Sequence, residues 1–225
     1  MSFEFKNSNK NHKPAVRIPR YLEAFLLRGE DETLDFKKEV TSVNKIAKTM
    51  VSFANHKGGT ILVGVNDNKT ISGIKTDEEK YMLEEAAAFF CKPEIVLDFT
   101  EWNVGGKIIL EAKVPAGENK PYYAKGEDEK WWVHIRVKDQ SLLASKVVVD
   151  VLKRSHPENT TLIKYSSKEK ELLDYLNTNQ RITMKQYCKL LNISRWRATK
   201  ILVDLVSVGV IRMHCTEKED FYTLS

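Results

Sequence analysis

Residues 60–65 read Thr-Ile-Leu-Val-Gly-Val and follow directly on Gly58-Gly59. A short, nearly unbroken apolar run rich in β-branched residues does not suit a strand with one wet face. It predicts a central strand covered on both sides. That demand shapes the rest of the fold, because the chain must supply neighbouring strands and packing layers for both faces. A chain of 225 residues with 42% hydrophobic content can do so, as one large domain or two small ones.

The flanking patterns supply the layers. Pro19 opens a short helix, Arg20 to Leu27, with Tyr21, Leu22, Phe25 and Leu26 on one face, and Gly29 ends it. Residues 33–38 alternate as a strand, Leu34 and Phe36 facing one way, Asp35 and Lys37 the other. Thr41 or Ser42 caps a helix with Ile46, Met50, Val51 and Ala54 as its stripe. After the central strand, Asn66-Asp67-Asn68-Lys69 is a turn in which the Asx residues favour positive φ, and residues 70–74 are expected to return as a strand. A helix is expected from Thr76 to Phe90, with Glu79 completing a capping box. Glu94–Trp102 and Lys107–Val114 flank Asn103-Val104-Gly105-Gly106 as a hairpin. Strands at 121–123 and 131–137 follow, then a helix over 141–155 with Leu143, Val147, Val148 and Val151 inward.

From residue 166 the pattern changes. Ser166…Glu169 and Thr183…Gln186 are capping boxes that open two helices. A tight turn at Asn192-Ile193 leads to a third helix, capped by Ser194 and stopped by Gly209. Two short strands, 210–215 and 221–224, close the chain. This order predicts a winged helix-turn-helix. The expected organisation is a polar basic arm over 1–16, a domain over 17–155, a linker over 156–165 and the winged helix over 166–225.

Charge is distributed unevenly. Residues 1–20 carry five Lys/Arg against one Glu, and residues 166–225 carry ten against seven, which leaves a slightly acidic middle. Basic ends suit a polyanion, although solubility alone also explains them. No apolar run reaches membrane-spanning length, so no membrane partner is expected. The polar, lysine-rich start lacks the apolar core of a secretory signal. Cys91, Cys188 and Cys215 are isolated and form no CxxC, which argues against zinc and disulfides and for a reducing cytoplasm.

Three carboxylates are candidates for chemistry. Glu30 and Asp35 straddle a loop-to-strand junction, and Asp67 follows a strand that can lie beside the first. Converging acids could hold Mg²⁺ or Mn²⁺ and activate water at a phosphodiester; the alternative is that they are solvated surface acids. Lys37 shares the strand face of Asp35 and could contact a phosphate. Gly58-Gly59 lacks the GxxxxGK[ST] context of a phosphate-binding loop, so it supports no ATPase and reads as a tight turn. His56 lies near the acids but reads as part of a helix end.

The stretch Glu30-Asp31-Glu32-Thr33-Leu34-Asp35-Phe36-Lys37 resembles the ES-x-x-x-EFK signature of the Schlafen AlbA domain, a family also described as DNA-binding or divergent AAA. Phe53-Ala54-Asn55, Gly58-Gly59-Thr60 and Gly64-Val65-Asn66-Asp67 resemble its AFAN-x-x-GG and GVDD motifs. Val114-Pro115, Lys120-Pro121-Tyr122-Tyr123, Ile135-Arg136-Val137 and Ala144-Ser145 match in order. The resemblance implies an α+β fold, a Schlafen AlbA-type mixed sheet with flanking helices. Some vertebrate relatives are endoribonucleases acting on structured RNA, and their acids fall on Glu30, Asp35 and Asp67. Asp35 stands where the family has Glu, and Asn66 where it has the first Asp of GVDD. Bacterial relatives with a winged helix are usually read as DNA-binding regulators.

In the third helix of the C-terminal unit Ala198, Ile201, Leu202 and Leu205 form the inward stripe. Arg195, Trp196, Arg197 and Lys200 are the candidate nucleic-acid contacts. Trp196 could stack on a base or pack on the wing. The wing tip is acidic, with Glu217, Glu219 and Asp220 around Lys218, and so is a poor reader of DNA. The expectation is a nucleic-acid-binding protein, a DNA-binding transcriptional regulator. The alternatives are a metal-dependent endoribonuclease using Glu30, Asp35 and Asp67, and an interaction module that dimerises through the winged helix. DNA or structured RNA is the expected partner, with a homodimer as the expected assembly.

Overall fold

A computed structural model describes residues 17–75, 77–154 and 166–225. The arm expected over 1–16 and the linker expected over 156–165 lie outside these residues. The description gives an α+β architecture with two four-stranded sheets and one of three strands. Among the described residues no helix is long and apolar enough to cross a membrane.

The first sheet has the order β1 (Leu34–Lys37), β2 (Gly59–Val63), β5 (Lys107–Val114), β4 (Asp98–Val104). β2 is interior, parallel to β1 and antiparallel to β5. Its side chains divide as the sequence requires. Ile61 and Val63 enter a core with helices α2 (Val43–Ala54) and α3 (Glu78–Phe89). Leu62 joins Leu34 and Phe36 on the opposite face, beneath Leu22 and Leu26 of α1 (Arg20–Arg28). A parallel pair needs a crossover, and α2 provides it. Ser42 caps α2, its Oγ accepting the Lys45 N–H.

The second sheet has the order β3 (Cys91–Lys92), β6 (Tyr123–Lys125), β7 (Trp131–Val137), β8 (Gln140–Leu143). α2 lies between the two sheets, which explains why it is buried well beyond one stripe: Ala47, Thr49, Ser52 and Phe53 are covered along with the expected residues. The glycine pair is a packing device. Gly58 has φ +80°, and a Cβ there would lie 2.8 Å from the Val114 carbonyl oxygen; one at Gly59 would lie 2.6 Å from the Phe53 ring.

Several expectations fail locally. Residues 70–74 form no strand but a single bridge, Val65 to Ile71. Gly64 and Gly73, at φ +94° and +76°, turn the backbone out of the ladder direction. The positive φ in the preceding turn falls on Lys69, not on an Asx residue. α3 begins at Glu78, after Asp77, whose side chain makes no cap bond; Thr76 is outside the described residues. β4 begins at Asp98 rather than residue 94. The helix expected over 141–155 is split. Residues 140–143 pair with β7 across the turn at Lys138 and Asp139, and α4 (Lys146–Arg154) starts only afterwards. Leu143, expected inward, is exposed because it sits on that edge strand.

The remaining elements are α5 (Ser167–Asn179), β9 (Ile182–Thr183), α6 (Met184–Leu191), α7 (Arg195–Ser207), β10 (Ile211–His214) and β11 (Phe221–Leu224). Both capping boxes form, and Asn192 takes the left-handed conformation between α6 and α7. The third sheet is β10-β11-β9, so the β10–β11 hairpin gains a strand that was not expected. Val147 of α4 enters the core of this unit beside Leu202, Val203 and Leu205.

Candidate functional site

The segment ahead of β1 is held by its own polar groups. Asp31 Oδ1 accepts from Thr33 N–H at 2.7 Å and from the Thr33 hydroxyl at 2.9 Å, and Asp31 pairs with Arg28 at 2.9 Å. This turn places Glu30 so that its Oε1 accepts the Phe36 N–H at 2.7 Å. The Glu30 carboxyl is raised above the ordinary range. Burial is the main cause, the Phe36 bond opposes it, and the nearby charges of Asp35 and Asp67 add to it. Glu30 therefore lies within reach of the charges of both Asp35, inside β1, and Asp67, beyond the end of β2.

They differ in what each touches. Asp67 is exposed in the turn. Asp35 is only 4% exposed, because the face of β1 opposite Leu34 and Phe36 turns towards α2 and the second sheet. Its Oδ1 meets Arg136 Nη2 at 3.0 Å, and its Oδ2 lies against Lys37 Nζ. Lys37 also donates to the Phe36 carbonyl at 2.9 Å, so the lysine expected to meet a phosphate is engaged at home.

Arg136 is the residue that sequence reasoning missed as part of this site. From β7 it donates to the Asp31 and Leu34 carbonyls, both at 3.1 Å, and to Ser141 Oγ at 3.3 Å. Its guanidinium lies over the Phe53 ring, 4.7 Å from the centroid. The available signal was a lone Arg, next to last in a seven-residue strand of otherwise aromatic, apolar and His residues, where a buried charge needs a partner from another element.

This donor set does not fit Mg²⁺ or Mn²⁺ as arranged. Both Asp35 oxygens face cations, and among the described residues no three His, Cys, Asp or Glu side chains gather at a spacing that would hold a metal ion. His56 lies apart from the trio, 3.9 Å from Glu32, and burial lowers its pKa. Glu111, also unforeseen, is fully buried on β5 and accepts from Trp102 Nε1 at 2.7 Å and Tyr21 Oη at 3.1 Å, tying α1 to the sheet.

The second cluster is on α7. Ser194 Oγ accepts the Arg197 N–H at 3.3 Å and fixes the helix start. Arg195, Trp196, Arg197 and Lys200 are all exposed. Trp196 is 75% exposed, so it does not pack on the β10–β11 hairpin. Ala198, Ile201, Leu202 and Leu205 are buried as expected, but so is Val203. α4 lies against α7 on that side, and Arg154 pairs with Asp204.

A model of the Schlafen, AlbA_2 family matches residues 30–145, just over half of the chain, and the chain belongs to that family. The match takes in Glu30, Asp35, Asp67 and Arg136 and stops just before α4. No curated protein matches the sequence. Among solved structures it is similar to the DIP2311 protein of Corynebacterium diphtheriae, at 19% identity and TM-score 0.45 over 60% of this chain and 27% of that one. It is also similar to the N-terminal domain of a protein from Nitrosomonas europaea described as related to the ATP-dependent DNA helicase RecG. There the identity is 18% and the TM-score 0.41, over 65% of this chain and 94% of that domain. The chain thus spans about a quarter of the length of the Corynebacterium protein.

Proposed function

We propose that this chain is a nucleic-acid-binding protein, a DNA-binding transcriptional regulator. In this reading residues 166–225 form a winged helix-turn-helix and α7 carries the contacts. The observation that carries it is the cluster of Arg195, Trp196, Arg197 and Lys200, all exposed on the first turns of α7. Such groups at such a helix start neutralise phosphates and reach base edges. Family membership suits nucleic-acid binding in general, although the match ends at residue 145 and does not reach α7.

The acids of the AlbA_2 unit act as scaffold in this reading. Asp35 is neutralised by Arg136 and Lys37, so it is spent on joining β1 to β7. The test combines binding and cleavage. The protein is incubated with duplex DNA and with folded tRNA, each with Mn²⁺ and with EDTA, beside an Asp35→Ala/Asp67→Ala variant. Binding that weakens with salt and with Arg195→Ala/Arg197→Ala, without cleavage, is the expected result. Metal-dependent cleavage that vanishes in the Asp35→Ala/Asp67→Ala variant, and also in Asp67→Ala alone with its thermal unfolding unchanged, would overturn the scaffold role and make the chain a nuclease.

A further inference from the structure

The outer side of α7 is not free. A helix that reads duplex DNA must enter a major groove ~12 Å wide. Here α4 runs beside α7, covers Val203 down to 1% exposure and binds Asp204 through Arg154. Two packed helices lie ~8–10 Å apart axis to axis and do not enter that groove together. The other duplex-contacting element, the hairpin tip, carries Glu217, Glu219 and Asp220 around one lysine and repels phosphate.

Between α4 and α7 runs an open groove of about 590 Å³. Lys146, Lys153 and Arg154 line it from α4, and Arg195, Trp196 and Lys200 from α7. Asp150 is the only acid among its lining residues, and it is paired with Lys146 at 2.5 Å. Arg154 is held by Asp204, whereas Lys153, Arg195 and Lys200 enter none of the ion pairs among the described residues. The groove therefore presents three uncommitted cations around an indole that is 75% exposed. A cationic track with an aromatic platform suits a strand whose phosphates follow the groove and whose unpaired base stacks on the ring. A paired base inside a duplex offers no free face to that indole.

We propose that the α4–α7 groove binds single-stranded nucleic acid, with phosphates on Lys153, Arg195 and Lys200 and a base on Trp196. This rests on the nucleic-acid-binding reading and departs from its duplex-reading part: a strand in this groove replaces the major groove as what α7 meets. It also brings one of the four contacts, Lys153, from α4, outside the helix-turn-helix.

The experiment titrates the full chain into labelled oligothymidylate, oligouridylate and a duplex DNA of the same length, following anisotropy and intrinsic tryptophan fluorescence. Lys153→Glu, Trp196→Ala and Trp196→Phe are compared at two salt concentrations, with thermal unfolding as a fold check; all are exposed positions. The expected result is tighter binding to a single strand than to the duplex, weakened about tenfold by Trp196→Ala and restored by Trp196→Phe. Lys153→Glu weakens it similarly and makes the salt dependence shallower. Saturation quenches the wild-type fluorescence, and much of that quenching is missing in Trp196→Phe. The two single-stranded arms distinguish DNA from RNA as the ligand's source. Duplex binding in preference to both single strands, or single-strand binding indifferent to Lys153 and Trp196, overturns the groove and leaves the nucleic-acid reading standing. Failure of all three polymers to bind overturns both.

Discussion

A buried ion pair between β7 and β1 holds the seam between the sheets. Arg136 and Asp35 are each about 5% exposed or less, so removing one partner strands the other charge in a poorly solvated place. Arg136→Met is expected to destabilise by about 3–5 kcal/mol, because it also removes the donor to the Asp31 carbonyl, while the Leu34 carbonyl keeps the Asp31 N–H. Adding Asp35→Leu should recover part of that loss, since the pair is then replaced by apolar groups. A double-mutant cycle in urea checks this; strictly additive effects would mean that the two side chains do not stabilise each other. His134, two residues away, behaves differently. It is buried, its Nδ1 has no partner, and its pKa falls to about 4, chiefly because burial disfavours the imidazolium and secondarily because Lys48 is near. In the unfolded chain the same group titrates near 6.5. The unfolded state therefore takes up the proton first as pH falls, and stability present above about 6.5 is lost between there and about 4. The size is roughly 3 kcal/mol at full loss. His134→Leu should flatten the decline in Tm between pH 6.5 and 5, and an unchanged decline would assign it to other groups.

At the scale of elements, α2 is the joint between the sheets, and the residue that caps its C-terminus does much of the joining. Asn55 Nδ2 donates to the Tyr122 and His134 carbonyls, both at 2.9 Å, and its Oδ1 accepts the Tyr122 N–H at 2.7 Å. Asn55→Ala removes the partner of one buried and two half-buried backbone groups and is expected to cost about 2–4 kcal/mol. Hydrogen exchange should show the loss of protection centred on β6 and β7; uniform loss across the first sheet would contradict the joint. The elements legible in the sequence were those whose signals are local. The buried run at 60–65, the Gly105-Gly106 hairpin and the two capping boxes each carry their own pattern. The failures are non-local. Residues 140–143 have a helix-compatible sequence but are captured by β7, and residues 70–74 look like a strand but are turned aside by Gly64 and Gly73. For the candidate site, the proximity of Glu30, Asp35 and Asp67 was readable from motif order. Arg136 was not, because its partner lies 101 residues away in sequence.

For the whole molecule, the position of α4 has a consequence for how the chain can be divided. The expected boundary assigns α4 to the first domain, and the family match ends one residue before Lys146. Yet Val147 is buried in the core of the C-terminal unit, Val151 packs against that core, and Arg154 holds Asp204. Residues 166–225 alone would expose Val203 and the apolar groove that α4 fills. At ~25 cal/mol per Å² of apolar surface, uncovering two or three aliphatic side chains removes about 3–5 kcal/mol, a large part of what a domain this small commands. A fragment covering 144–225 is therefore expected to unfold cooperatively, whereas 166–225 melts at lower temperature with a broader transition. The comparison is made by circular dichroism on both fragments and on a Val147→Asp form of the longer one, which should resemble the shorter. Equal stability of the two fragments would show that α4 only rests on α7. Loss of stability on removing α4 would mean that the helix just beyond the family match is structurally part of the C-terminal unit, so that the boundary of that unit falls before Lys146.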